Sequence, residues 1–95
     1  MDTVVDRLIR YAKVYSESDY HAGRAVTPST QRQFDMGRLL VEELHGLGIE
    51  NAVLDEKCYV YASVPASPGC EHLPAIGLIA HMDTTPDMTG KDVKP

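Results

Sequence analysis

The sequence predicts an α/β unit: two amphipathic helices, a hairpin and one interior-type strand, forming an incomplete helix–sheet–helix layer with a mixed sheet. Three observations predict it. Apolar residues recur at helical spacing in two stretches. β-branched and aromatic residues cluster between residues 52 and 64. Residues 75–80 are apolar without alternation, the pattern of a strand covered on both faces.

The first helix is expected over residues 3–13. Thr3 and Asp6 have capping-box spacing, and Val4, Val5, Leu8, Ile9 and Ala12 share one face. Residues 16–29 read as a long loop, rich in Ser, Asp, Gly and Pro, of a length that is often functional or mobile. A second helix is expected over residues 30–46. Thr30 with Gln33 offers another capping box, and Met36, Leu39, Leu40, Leu44 and Leu47 form the apolar stripe. Glu42 and Glu43 are expected towards water, and Gly46 and Gly48 supply the stop. Ala52-Val53-Leu54 and Tyr59 to Val64 read as a hairpin turning at Asp55-Glu56-Lys57. A Pro-rich surface loop follows, then the run 75–80, which ends abruptly in His81-Met82-Asp83-Thr84-Thr85-Pro86-Asp87.

The chain has 95 residues, enough for one small domain of slim stability. Its formal net charge of −5 gives no attraction to phosphate backbones and argues against nucleic acid. No apolar run reaches the ~20 residues that a membrane span needs. The acidic start lacks the features of a secretory signal, and Cys58 and Cys70 read as free thiols, so a cytoplasmic protein is expected. The ending Val93-Lys94-Pro95 carries no cap or terminal element and reads as a truncation.

The candidate chemistry lies at His81 and Asp83. Side chains two apart on a strand point the same way. A carboxylate that accepts a hydrogen bond from one imidazole nitrogen fixes the tautomer and aims the other nitrogen at a metal. The carboxyl end of a strand is also where α/β sheets bind ligands. A bare H-x-D is weak by itself; the apolar strand before it and the turn after it strengthen it. Asp87 reads as a turn cap, His21 and His72 as solvated loop histidines, and His45 as a cation suited to a helix end. Tyr59 and Tyr61 read as sheet packing.

Residues 74–87, continuing through Gly90-Lys91-Asp92-Val93-Lys94-Pro95, together with Pro28-Ser29-Thr30 ahead of the second helix, resemble the peptidase T family. These are tripeptide aminopeptidases among the co-catalytic zinc exopeptidases. The resemblance implies that residues 1–95 are the amino-terminal part of a zinc-peptidase catalytic domain and that the complete protein acts on tripeptides. It implies that His81 is a zinc ligand, that Asp83 is the catalytic carboxylate polarising it, and that two zinc ions fill the complete site. The bridging aspartate, general-base glutamate and further ligands would lie beyond Pro95, so these 95 residues alone are expected to be inactive. The resemblance also implies a possible homo-oligomer, relatives commonly being dimers through a domain outside these 95 residues. Two alternatives remain open: another amide hydrolase of the superfamily (aminoacylase or dipeptidase type), and a non-catalytic module that self-associates through exposed strand edges. The metal assignment rests on the two side chains meeting at the end of a strand enclosed in the interior.

Overall fold

The structure, a computed structural model, describes residues 2–95. It contains helix α1 (Val4–Ala12), helix α2 (Gln33–Gly46) and a two-stranded antiparallel sheet of β1 (Val53–Leu54) and β2 (Val60–Tyr61).

α1 begins as its sequence dictates. The Thr3 hydroxyl accepts from the Asp6 N–H at 3.1 Å, and the Asp6 carboxylate accepts from the Thr3 N–H at 2.8 Å. The reciprocal bonds satisfy two amide donors that a helix start would leave open. These bonds, the Thr3 N–H first, hold the Asp6 carboxyl below its ordinary 3.8. A lowered folded-state value stabilises above about pH 4 and stops doing so as pH falls through it. The stability difference between wild type and Asp6→Asn should therefore be present at pH 7 and shrink below pH 4 in urea unfolding curves.

α2 starts later than predicted, and without the Thr30–Gln33 capping box. Arg32 precedes the helix and makes no side-chain cap. Thr30 instead donates its hydroxyl to the Glu17 carbonyl at 2.7 Å, and the Gln33 side-chain amide donates to that same hydroxyl at 3.0 Å. Thr30 is engaged with the long loop and is lost to the helix as a cap. A second correction concerns Glu43. It faces α1 and is half-buried, and its carboxylate accepts from Arg10 Nε and from the Tyr11 hydroxyl. Glu42 is exposed, as expected.

The hairpin forms in the register Val53↔Tyr61 and Leu54↔Val60. Asp55 makes the turn: its carboxylate accepts from the amides of Lys57 and Tyr59, and Cys58 takes a φ of 67°. Packing of the hairpin on α2 builds a small core of Met36, Ala52 and Cys58. The helix approaches closely at Gly37, where a Cβ would lie 2.7 Å from Leu54 Cδ1.

Two further expectations are overturned. Residues 75–80 are not a strand, and they lie in the open: Ile76 is 88 % exposed, Leu78 93 % and Ile79 100 %. An extended segment becomes a strand only when its amides and carbonyls find partners, and among the described residues none pairs with this run. The sheet is accordingly antiparallel and two-stranded, not mixed; parallel pairing survives as one isolated bridge, Glu17↔Thr84. The apolar face of α1 is also uncovered at Val4, Val5 and Leu8. No helix among the described residues is long and apolar enough to cross a membrane.

A histidine–aspartate pair held by the long loop

His81 and Asp83 meet. The His81 Nδ1 lies 3.1 Å from Asp83 Oδ1 and 2.9 Å from the Asp83 carbonyl oxygen. Both neighbours can only accept, so Nδ1 carries a proton and donates it. In the neutral ring Nε2 is then left with its lone pair. The His81 side chain is 85 % exposed and that of Asp83 is half-buried. Of the two conditions set by the sequence, the meeting of the side chains holds. The enclosed strand does not, and the pair stands on an extended segment open to solvent.

That segment is held by the long loop, in which no sequence motif singled out a role. The Thr84 N–H donates to the Ser16 carbonyl at 3.2 Å and the Ser18 N–H to the Thr84 carbonyl at 2.9 Å, the alternation of a parallel ladder. The fully buried Ser16 donates its hydroxyl to the Met82 carbonyl at 3.2 Å. The Gly90 N–H donates to Glu17 Oε1 at 3.1 Å. The Tyr20 hydroxyl lies 3.2 Å from Thr85 Oγ1 and from Asp87 Oδ2. The clustered Ser, Glu and Tyr of residues 16–20 were the only signal available, and that composition is common in loops.

Asp87 departs from its expected role. Its carboxylate accepts from the hydroxyls of Thr85 and Tyr20, while Thr85 Oγ1 takes the Asp87 amide. His45 Nε2 lies 2.9 Å from the Ala52 carbonyl, so it ties α2 to the hairpin. His21 uses its backbone amide, not its ring, to reach Asp19. The Tyr59 and Tyr61 rings pack on each other with centroids 6.2 Å apart.

His81 and Asp83 border an open groove of about 890 Å³, lined also by Tyr11, Glu43, Tyr61 and Leu78. Met82, between them, reaches inward, its sulfur 3.9 Å from Cys58 Sγ. Burial raises the Cys58 thiol above its ordinary value. Among the described residues no three His, Cys, Asp or Glu side chains converge as a metal site would require.

No family model matches the chain. Curated relatives do. The chain is 50 % identical over 96 residues to Peptidase T of Alkaliphilus oremlandii, covering 100 % of this chain and 23 % of that protein. It is 50 % identical over 96 residues to Peptidase T of Halothermothrix orenii, covering 100 % of the chain and 22 % of the relative. It is 44 % identical over 92 residues to Peptidase T of Geobacillus kaustophilus, covering 97 % of the chain and 22 % of the relative. The chain spans just under a quarter of the length of these relatives. From end to end, then, it is similar to one segment of Peptidase T.

Proposed function

We propose that this chain is part of a zinc-dependent aminopeptidase that releases the amino-terminal residue of tripeptides. In this reading the chain contributes one zinc ligand, His81, and the carboxylate that orients it, Asp83. The enclosed strand end that the metal assignment also called for is absent, so of its two conditions only one carries the reading, the 3.1 Å contact between His81 Nδ1 and Asp83 Oδ1. That contact leaves Nε2 of the neutral ring with its lone pair, the kind of donor zinc takes from histidine. The end-to-end similarity to Peptidase T supplies the reaction class.

Zinc, when bound, supplies Lewis-acid polarisation of a carbonyl and a bound water of lowered pKa. This chain's own part is to hold the imidazole. Asp83 keeps the proton on Nδ1 and so keeps the ring in one tautomer. The backbone carbonyl of Asp83 reinforces the same choice. A zinc site needs at least three protein ligands. With one histidine and its orienter, these 95 residues are read as an incomplete site that turns nothing over. The free thiols Cys58 and Cys70 suit the reducing cytoplasm.

A second reading has its own observation. The exposed run at Ile76, Leu78 and Ile79, with α1's open apolar face, favours self-association of the isolated 95 residues. One preparation tests both. Purified residues 1–95 should hydrolyse no tripeptide and should sediment with rising mass as concentration rises. The full-length protein should carry bound zinc and release amino-terminal residues from tripeptides. Tripeptide turnover by residues 1–95 would overturn the incomplete-site reading. A clean monomer at every concentration would overturn self-association.

A further inference from the structure

We propose that Ser16 is a positioning residue for the His81–Asp83 pair, its hydroxyl fixing the peptide unit that lies between them. The inference rests on the reading of His81 as a zinc ligand and adds a residue that neither the H-x-D spacing nor the family resemblance assigns.

Ser16 is fully buried, and its hydroxyl donates to the carbonyl of Met82, the residue between His81 and Asp83. Side chains two apart share a face only while the residue between them stays extended. A bond to the Met82 carbonyl therefore restrains the torsions that bring imidazole and carboxylate together. Packing restrains His81 little, since its side chain is 85 % exposed, so its placement depends on the two Nδ1 contacts to Asp83 and on the backbone that sets them.

Ser16 is itself well anchored. Its carbonyl accepts from the Thr84 N–H, and the Ser18 N–H and hydroxyl both donate to the Thr84 carbonyl. Between them, the Glu17 carbonyl accepts from Arg32 Nε at 2.8 Å and from the Thr30 hydroxyl at 2.7 Å. The start of α2 thus braces the loop, the loop braces Met82, and Met82 sets the pair. Loss of one well-placed partner behind a metal ligand lowers metal affinity by about 10- to 100-fold. Ser16 acts one bond further out and should fall at the lower end of that range.

The test uses the full-length protein. Zinc affinity is read by competition with a chelating dye, backbone exchange at residues 82–84 by mass spectrometry, and kcat and KM on a tripeptide. Ser16→Ala should weaken zinc binding about tenfold, speed exchange at residues 82–84 and lower kcat with KM unchanged. Ser16→Thr, which restores the hydroxyl, should return zinc affinity to near wild type. Wild-type zinc affinity in Ser16→Ala, or equal losses in the Ala and Thr variants, would overturn the proposal. Should Ser16→Ala fail to fold, Ser16→Cys, of similar size with a weaker donor, carries the same comparison. His81→Ala is measured alongside. If it loses zinc while Ser16→Ala does not, only the positioning role falls. If it keeps its full zinc, the ligand reading falls, and the positioning role with it.

Discussion

His81→Ala in the full-length protein is expected to remove one zinc ion and lower kcat/KM by more than about 100-fold. That bound follows because removing a partner behind a metal ligand already costs about 10- to 100-fold, and His81 is read as the ligand itself. Asp83→Asn should fall within the smaller range. It keeps the shape and one acceptor oxygen at the position 3.1 Å from His81 Nδ1, but replaces the carboxylate by a neutral amide and so weakens the hold on the Nδ1 proton. Metal content by mass spectrometry and kcat/KM on a tripeptide check both variants. The reading would not survive full zinc occupancy and unchanged turnover in His81→Ala.

Glu43→Ala should produce the largest loss of stability. Among the described residues, every hydrogen bond joining α1 to α2 ends on the Glu43 carboxylate, from Arg10 Nε and the Tyr11 hydroxyl. α1 has little else to hold it, since Val4, Val5 and Leu8 face outward. A hydrogen bond to a charged group contributes about 1.5–3 kcal/mol, and these two share one carboxylate, so a loss of about 2 kcal/mol is expected. Glu43→Gln, which keeps an acceptor without the charge, should lose about half as much. Urea unfolding gives the stability change, and hydrogen exchange should show the loss concentrated in α1. Tyr11 offers a second readout. Burial first, and Glu43 second, raise its hydroxyl above the ordinary 10.0. In Glu43→Ala its titration should move down while staying above that value.

How much of this was legible in the sequence depended on how local the determining contacts are. The Thr3–Asp6 box, the Asp55 turn and the His81–Asp83 contact each lie within four residues of chain, where spacing alone dictates which groups meet. The errors lie where a distant partner decides. Thr30 has capping spacing, yet Glu17 claims its hydroxyl from across the loop. Glu43 sits beside an exposed glutamate and reads as solvated, but Arg10 and Tyr11 converge on it from another helix. Residues 75–80 have the composition of a buried strand, but composition cannot supply the neighbouring backbone that pairing requires. Ser16 was illegible for the same reason: its partner is far along the chain, and a serine in a loop gives no hint of complete burial.

The bond between Ser16 and Met82 spans 66 residues, so the order of assembly is constrained as well as the geometry. Closing a loop of that length costs roughly 4 kcal/mol of chain entropy, apart from a length-independent constant, before any contact compensates it. α1 and the turn at Asp55 can form as soon as their own residues leave the ribosome. The ladder to residues 82–84 cannot begin until nearly all 95 residues have been synthesised. Non-local pairing of this kind is slow to nucleate. Within these 95 residues the His81–Asp83 segment should therefore be among the last to settle, after α1 and the Asp55 turn have formed.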